Sequence, residues 1–373
     1  MDKCIGVINS GQNKETYGGL CDTRPDYMLP YSGRYRIIDY SLSTMTNNSI
    51  QNVVIYGKAH IRSTLDHIGN GQPWELNRKR NGIFIFPPIY ESSIARNEIN
   101  SYYQTLTFYE ESSANNIFIA DPMTITSLNL RTPFDKFIEE DLDVLFLYKS
   151  QEDKDALLLQ SPKITLDKNG RLFNISINLG TQDRFNLFLG KYFIKKELFI
   201  KIIKESVEKG DSSTLVEAIL KRMDSLKIGL YEVTDHVEVI KDLRTYFSSS
   251  MNLLNREIFN KIYSREKMIY TKSKDEPSSL YNPGCRVTNS LVANGCKISG
   301  QVENSIIFRG VQIGKNSIIR NSILMQDTVV GENSILVNVI SDKFVKIKNG
   351  VTLVGSNQAP YVISKNSIIE RSE

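Results

Sequence analysis

A 17-residue repeat in the last quarter of the chain restricts what this part can fold into. The tripeptide Asn-Ser-aliphatic recurs with this step from Asn304 to Asn321 and from Asn316 to Asn333. A fixed period, with aliphatic residues between Gly or Asn corners, is typical of a solenoid whose short strands stack on a shared core. Asn and Gly suit the corners because both tolerate left-handed backbone. The repeat therefore predicts a parallel β-solenoid over residues 281–373.

Up to about residue 240 the pattern is different, because short apolar runs alternate with helical segments. The predicted strands are Cys4–Ile8, Val53–Tyr56, Ile117–Ala120, Val144–Tyr148 and Leu187–Leu189. Such alternation predicts a mostly parallel sheet covered by helices on both faces. The segments Ile164–Leu166 and Leu172–Ile175, joined by a turn sequence, predict a hairpin.

Two predicted helices have clear apolar faces. One covers Asn97–Ser113, where Tyr102, Leu106 and Tyr109 share a face, and the other covers Leu243–Ile262. A polar stretch with Pro277 follows the second helix and suits an extended linker. We therefore expect an α/β domain over residues 1–242, a helix and linker over 243–280, and the solenoid over 281–373.

Composition excludes several classes of protein. The net charge of +4 is small, and the Lys and Arg residues are scattered, which disfavours nucleic acid as a partner. The four cysteines (Cys4, Cys21, Cys285 and Cys296) lack the spacing of a zinc site, so we expect structural thiols. No signal peptide and no apolar run of membrane-spanning length is present, which predicts a cytoplasmic protein with no membrane partner.

Motifs at both ends of the chain suggest a family. Gly33–Tyr40 reads GRYRIIDY, Asn48-Ser49-Ile50 follows it, and Asn304–Val311 and Ser341-Asp342-Lys343 lie in the repeat region. In this order they resemble the GGRYRIIDF and NSGI signature and the β-helix motifs of bacterial ADP-glucose pyrophosphorylases (glucose-1-phosphate adenylyltransferases). The resemblance implies a Rossmann-like, mostly parallel nucleotidyltransferase domain followed by a left-handed parallel β-helix of hexapeptide repeats.

The same resemblance implies a reaction. In this family, ATP and glucose 1-phosphate give ADP-glucose and pyrophosphate for glycogen synthesis. Such chemistry needs cations and hydrogen-bond donors around the triphosphate, and carboxylates that hold Mg²⁺. Mg²⁺ is therefore the cofactor that the resemblance implies, and the departures described next make its binding by this chain doubtful.

The phosphate-binding segments depart from the family pattern. In the first loop, Ser10–Leu20, Thr16 stands where the family has Arg and Lys14 where it has Gly. Asp26 stands at the family's next basic position. At an effective dielectric constant near 20, reversing one charge about 4 Å from a phosphate changes the interaction by roughly 8 kcal/mol before screening. These substitutions therefore argue against productive ATP binding in the family's way.

The nucleotide, sugar and metal segments depart as well. Asn97–Ser101 keeps none of the family's GTADA pattern, and Phe173–Asn178 lacks the Glu-Lys pair of the sugar site. Asp121, at the end of a strand, matches one metal-binding Asp of the family. Val239 occupies the position of the second, unless a three-residue shift brings in Asp242.

These losses fall on the phosphate, metal and sugar sites, whereas the scaffold motifs are kept. In this respect the chain most resembles the GlgD-type, non-catalytic subunits of the family. The resemblance implies a regulatory or assembly subunit with little or no activity alone, paired with a catalytic subunit, as a heterotetramer, or forming a homo-oligomer by itself. ATP, glucose 1-phosphate or a sugar-phosphate effector could be its ligand. The candidate residues are Lys14 and Asp121 as catalytic remnants, Gly11, Gln12, Arg34 and Arg36 for a nucleotide or effector, and Asp121 and Asp242 for metal.

Other functions remain open at this point. The chain could be an active nucleotidyltransferase with a rearranged site built on Lys14, Asp121 and Asp242, or a scaffold without ligand. A solenoid acyltransferase is disfavoured because all three histidines (His60, His67 and His236) precede the repeat.

Each candidate also has a structural interpretation. Arg34 and Arg36 could form ion pairs with Asp39, and Asp121 could cap the turn after its strand. Trp74 is expected to pack in the core or an interface. Arg78-Lys79-Arg80 is expected in a solvated loop, with an anionic effector as the alternative.

Overall fold

The computed structural model describes residues 1, 3–9, 17–78, 81–88, 97–263 and 267–371. The chain forms two compact units, each of two segments: Met1–Gly11 with Ser41–Asp235, and Gln12–Tyr40 with His236–Glu373. We call them the sheet unit and the solenoid unit. The solenoid unit includes the N-terminal segment 12–40, so this unit is not one continuous stretch of the chain. The boundaries 1–242, 243–280 and 281–373 stay predictions.

The described elements are 29 strands, nine α-helices and three 3-10 helices (Asp26–Met28, Gln72–Trp74 and Met223–Ser225). The first strands are β1 Cys4–Ile8, β2 Pro30–Tyr31, β3 Tyr35–Arg36, β4 Asn52–Tyr56, β5 Gly82–Phe86, β6 Asn116–Ala120, β7 Thr124–Ile125, β8 Val144–Glu152, β9 Pro162–Leu166, β10 Leu172–Ile177, β11 Arg184–Lys195, β12 Ile228–Glu232 and β13 Glu238–Val239. The solenoid strands are β14 Leu280–Tyr281, β15 Arg286–Thr288, β16 Leu291–Val292, β17 Lys297–Ile298, β18 Gln301–Glu303, β19 Ile306–Ile307, β20 Gln312–Ile313, β21 Ile318–Arg320, β22 Ile323–Leu324, β23 Val329–Val330, β24 Ile335–Val337, β25 Val339–Ser341, β26 Lys346–Ile347, β27 Thr352–Val354, β28 Tyr361–Ile363 and β29 Ile368–Ile369. The helices are α1 Ile37–Asn47, α2 Arg62–Ile68, α3 Glu98–Gln104, α4 Leu106–Glu111, α5 Arg131–Glu139, α6 Lys196–Lys209, α7 Leu215–Leu220, α8 Leu243–Asn252 and α9 Arg256–Ile262.

A nine-stranded mixed sheet is the centre of the sheet unit. Its order is β10-β9-β11-β6-β1-β4-β5, and β8 pairs with both β11 and β12. β1 runs parallel to β4 and β6, and β11 runs antiparallel to β6 and β8. Strands β1, β4 and β6 are buried at every position, which agrees with sequences that are apolar except for the Asn that begins β4 and β6. Because β1 and β6 are parallel neighbours, their carboxyl ends meet at one edge of the sheet.

The predicted strands and the predicted β9–β10 hairpin are confirmed. Two predicted helices were too long. Residues 97–113 form α3 and α4, separated at Thr105, whose hydroxyl donates to the main-chain oxygens of Ser101 and Tyr102. Residues 243–262 form α8 and α9, and Asn255 begins α9 by accepting hydrogen bonds from its first N–H groups. In the second case a side-chain acceptor starts a new helix where the apolar period suggested continuity.

Tyrosine hydroxyls hold the N-terminal segment inside the solenoid unit. The Tyr31 hydroxyl donates to the main-chain oxygen of Ser249 at 3.1 Å, and the Tyr246 hydroxyl donates to that of Pro30 at 2.5 Å. Both rings are fully buried. These contacts join β2 to α8 across sequence separations of 218 and 216 residues.

The solenoid is confirmed as a left-handed parallel β-helix. Its strands form three parallel sheets, β14-β17-β20-β23-β26-β29, β15-β18-β21-β24-β27 and β16-β19-β22-β25-β28. From β17 to β28, aliphatic residues of successive strands form a continuous core, as in the series Ile298, Ile313, Val330 and Ile347, whereas both residues of β14 are exposed. The repeat asparagines adopt positive φ at the corners: Asn289, Asn304, Asn316, Asn321, Asn333 and Asn366.

The corner at Asn316 tests whether asparagine stabilises the positive φ of the repeat. Asn316 has φ of 59°, and its side-chain amide donates to Asn333 Oδ1 at 3.2 Å. Asn316→Ala should lower the free energy of unfolding by about 1–2 kcal/mol, because Ala meets the steric penalty of the left-handed region. Asn316→Gly removes the same hydrogen bond without that penalty and should cost clearly less. Urea unfolding followed by circular dichroism checks this, and equal losses for the two variants would contradict it.

The described residues contain no helix that is long and apolar enough to cross a membrane. All four cysteines are free thiols, with Cys4 and Cys296 buried and Cys21 and Cys285 partly exposed.

Candidate functional site

Two polar constellations are candidates for function, one in each unit. The first, which we call the strand-end site, lies where β1 and β6 end. Asn9 follows β1, and its side-chain amide donates to the Tyr102 hydroxyl at 3.1 Å. Asp121 follows β6, and its main-chain N–H donates to the Gly190 oxygen at 2.9 Å. Asp121 Oδ1 accepts the Met123 N–H at 2.9 Å, so this carboxylate caps the turn after its strand, as the structural interpretation predicts.

A buried ammonium lies beside this turn. Lys191 in β11 is 2% exposed, and its Nζ donates to the main-chain oxygens of Asp121 at 2.8 Å and Thr124 at 2.7 Å. Burial lowers the pKa of Lys191 to about 8, and the nearby Asp121 opposes this shift. Lys191 therefore supplies the positive charge at this turn and holds the turn in place.

Glu98, at the start of α3, is the second acidic group at the strand-end site. Burial, helped by the charge of Asp121, raises the pKa of its carboxyl to about 7, against the lowering effect of hydrogen bonds from Tyr102 and the Leu215 main chain. Asn9, Tyr102 and Glu98 thus form a hydrogen-bonded group, and Glu98 lies in Asn97–Ser101, the segment that the resemblance assigns to the nucleotide.

The described residues offer Mg²⁺ no ready-made site of three side chains. Among residues 1, 3–9, 17–78, 81–88, 97–263 and 267–371, no group of three His, Cys, Asp or Glu side chains could hold a metal ion. Asp121 caps a turn beside a lysine ammonium, an arrangement that competes with a divalent cation for the same carboxylate. We therefore derive no step through this metal.

Asp242, the other metal candidate, is a helix cap. Its Oδ1 accepts the Thr245 N–H at 2.7 Å and the Thr245 hydroxyl at 2.8 Å, and Thr245 Oγ1 accepts the Asp242 N–H at 3.0 Å. This reciprocal capping box begins α8. Asp242 therefore has a structural role as the cap of α8.

The second constellation, which we call the cation cluster, is in the solenoid unit. Arg24 is 4% exposed, and its Nη2 donates to both carboxylate oxygens of Asp342, at 2.8 and 3.0 Å. Its other terminal nitrogen, Nη1, is buried and has no hydrogen-bond partner among the described residues. A buried donor without an acceptor costs about 1–3 kcal/mol. An oxyanion or a solvent molecule that reaches Nη1 would recover that energy.

The cluster has three further cations, namely Lys343, Arg36 and Lys274. Burial, together with the positive charges of Arg36, Arg24 and Lys274, lowers the pKa of Lys343 to about 7, against the attraction of Asp342. Asp342 is the single acid among these neighbours and is already paired with Arg24. The cluster therefore carries an excess of positive charge that is half-buried, which favours an anionic ligand.

Arg34 interacts with Tyr35 and Arg309. Its guanidinium is 5.3 Å from the centre of the Tyr35 ring, and its charge helps burial to lower the pKa of Arg309. Asp39 accepts a hydrogen bond from the main-chain N–H of Arg36 at 2.9 Å and is fully buried at the start of α1. Of the two predicted arginines, Arg36 thus belongs to the cation cluster and Arg34 neighbours Arg309.

Several other sequence candidates have structural places. Asp26 is 5% exposed and accepts the Tyr27 N–H at 2.8 Å. Trp74 is 1% exposed and packs edge-on against His67, which confirms the packing interpretation. Arg78 donates to the Glu75 main chain and to Gln51. Gly11, Gln12 and Lys14, and with them Lys79 and Arg80, lie outside the described residues.

Sequence reasoning missed Lys191, Glu98, Arg24 and Lys343 as members of these sites. A signal existed for Lys191, because a charged residue interrupts the apolar strand Phe185–Ile194. No comparable local signal marks Arg24 and Lys343, which are 319 positions apart in the chain, 343 minus 24.

Comparison with known proteins places the whole chain. The profile of the GlmU-like C-terminal hexapeptide family matches residues 279–368. The glycogen biosynthesis protein GlgD of Bacillus subtilis (strain 168) is 32% identical over 369 residues, covering 98% of this chain and 97% of that protein. GlgD of Geobacillus stearothermophilus is 32% identical over 85% of this chain and 83% of its own length. The glucose-1-phosphate adenylyltransferase of Thermotoga sp. (strain RQ2) is 27% identical over 86% of this chain and 77% of its own length.

Proposed function

The chain belongs to the GlgD family of glycogen biosynthesis proteins, within the wider ADP-glucose pyrophosphorylase family, and we propose that it is a regulatory subunit of glucose-1-phosphate adenylyltransferase. In this proposal the chain acts in glycogen biosynthesis by assembling with a catalytic subunit. It contributes little turnover of its own and tunes the partner's rate and response to effectors.

The contrast between the two constellations is the observation that carries the proposal. At the strand-end site, the surviving family carboxylate of Asp121 caps a turn, and the ammonium of Lys191 lies beside it. In the solenoid unit, the cation cluster has an unfilled buried donor on Arg24 and surplus positive charge around Lys343. A family carboxylate that caps a turn, together with surplus positive charge in the other unit, supports regulation better than turnover.

The ligand of the cation cluster, in this proposal, is a phosphorylated effector. Two guanidinium groups and two ammonium groups match the charge and the acceptor oxygens of a sugar phosphate. Arg24 Nη1 supplies a donor that neither Asp342 nor another described side chain uses.

Mixing the purified chain with a catalytic glucose-1-phosphate adenylyltransferase from the same source tests the proposal. We expect a mixed oligomer on size-exclusion chromatography and a change of about 5–150-fold in rate or in effector response, the range typical of coupling between sites. Pyrophosphate release measures the rate, and heat-unfolded chain at equal concentration is the control. If the two proteins elute separately and the rate stays unchanged, the proposal is wrong.

A further inference from the structure

Lys191 is a charged residue inside an otherwise apolar strand, and a β-bulge sets the direction of its side chain. The pairing of β11 with β8 shifts between Phe188 and Lys191, and Gly190 in this bulge has φ of 64°. Bulges of this kind re-aim the side chains that follow them. A Cβ on Gly190 would lie 2.6 Å from Asp121 Cβ, so glycine lets the main chain of β11 lie directly against Asp121. The local backbone is therefore adapted to place Lys191 beside the turn after β6.

The Lys191 ammonium is bound by the kinds of oxygen that hold hard cations. Its Nζ donates to the main-chain oxygens of Asp121, at 2.8 Å, and Thr124, at 2.7 Å. The carboxylate of Asp121 attracts the same ammonium, and the Met123 N–H holds this carboxylate in the turn. Main-chain carbonyl and carboxylate oxygens are also the ligands that Mg²⁺ and Ca²⁺ take in proteins. Because Lys191 is 2% exposed, its charge is shared with these oxygens and not with solvent.

We propose that the ammonium of Lys191 is a built-in cation that takes the place of a divalent metal at the strand-end site. A metal and the ammonium would compete for the same oxygens of the turn, and the attached ammonium is favoured because its effective concentration is high. The inference goes beyond the proposed function, because it concerns the cation of the sheet unit and does not depend on a regulatory role.

Removal of the ammonium should turn the strand-end site into a site for a divalent cation. Lys191→Met keeps an unbranched side chain in β11, frees the main-chain oxygens of Asp121 and Thr124, and removes the positive charge beside the Asp121 carboxylate. Glu98, whose charge interacts with that of Asp121, supplies a second acid. A lysine that only braced the turn would give the opposite result, since its loss could weaken the turn but would not create a metal site.

Manganese is the probe for this test, because Mn²⁺ takes the same oxygen ligands as Mg²⁺ and its free ion is measured directly by electron paramagnetic resonance. The full chain is titrated as wild type, Asp121→Asn, Lys191→Met and the double variant. We expect the wild type and Asp121→Asn to bind Mn²⁺ equally weakly. Lys191→Met should bind it at least about tenfold more tightly, because a positive charge close to the metal has been removed. The double variant should lose this gain.

Lys196→Met is the matched control. The Lys196 Nζ also donates to a main-chain oxygen of the sheet unit, that of Ser112 at 2.7 Å, so its removal frees a carbonyl away from Asp121. This variant should bind Mn²⁺ like the wild type. As a second readout, saturating Mg²⁺ should raise the midpoint of thermal unfolding for Lys191→Met and leave that of the wild type unchanged. Circular dichroism confirms that each variant is folded.

Two outcomes would contradict the inference. One is tight Mn²⁺ binding by the wild type that is lost in Asp121→Asn, a comparison that does not require Lys191→Met to fold. The other is a folded Lys191→Met that binds Mn²⁺ no more tightly than Lys196→Met. Neither result bears on the proposed function, which fails only if the chain neither assembles with the catalytic subunit nor changes its rate.

Discussion

Asp342→Ala is expected to lower the free energy of unfolding by about 3–5 kcal/mol, the range for breaking a buried ion pair by removing one partner. The side chains of Arg24 and Asp342 are 4% and 2% exposed, so Arg24 would keep a full charge inside the protein with no carboxylate beside it. The main-chain N–H of Lys343 would lose its acceptor as well. Urea unfolding followed by circular dichroism measures the loss.

The solenoid offers a matched control for this prediction. Arg320 and Glu303 form an ion pair of similar length, 3.2 Å, with side chains 55% and 48% exposed. Glu303→Ala should cost no more than about 1 kcal/mol, because water solvates the remaining charge. The double variant Arg24→Met with Asp342→Leu removes both charges and should recover much of the loss. A loss for Asp342→Ala no larger than that for Glu303→Ala would show that the buried pair is not an important contact.

The isolated chain is expected to form ADP-glucose at least about 10²-fold more slowly than a catalytic relative assayed in parallel, since loss of even one transition-state donor commonly costs that much. Several of the required groups differ here. The resemblance places Asp26 where the family has a cation, and the carboxylate of Asp121 caps a turn. Radiolabelled or coupled detection of ADP-glucose at saturating substrate measures this rate.

Asp121→Asn distinguishes a rearranged active site from a regulatory chain. Asn keeps the Oδ1 acceptor for the Met123 N–H, so the turn after β6 should persist while the negative charge is removed. If the chain is regulatory, any residual rate should stay unchanged in this variant, and so should its effect on the catalytic subunit. A substantial rate for the wild type that disappears in Asp121→Asn would overturn the regulatory proposal in favour of an active enzyme.

The strand ends show how much of the candidate site could be predicted from local sequence. The apolar runs identified β1, β4 and β6 almost to the residue, because a strand buried on both faces must be apolar throughout. The same reasoning placed Asp121 at a strand end. It could not place Lys191 beside Asp121, because that contact depends on β11 running antiparallel to β6, a pairing with no local sequence signature.

The 17-residue repeat of the solenoid could be interpreted from sequence alone, whereas the contacts of the solenoid unit with distant segments could not. Sequence by itself determined the β-helix and its Asn corners, because each coil repeats the same local requirements: an inward aliphatic residue and a residue that accepts positive φ. Only the tertiary structure decided the cation cluster, because Arg24 and Asp342 are 318 positions apart and meet through the grouping of segment 12–40 with the solenoid. Such contacts follow no sequence period. Whether two distant charged residues form a buried ion pair is decided only when the chain has folded.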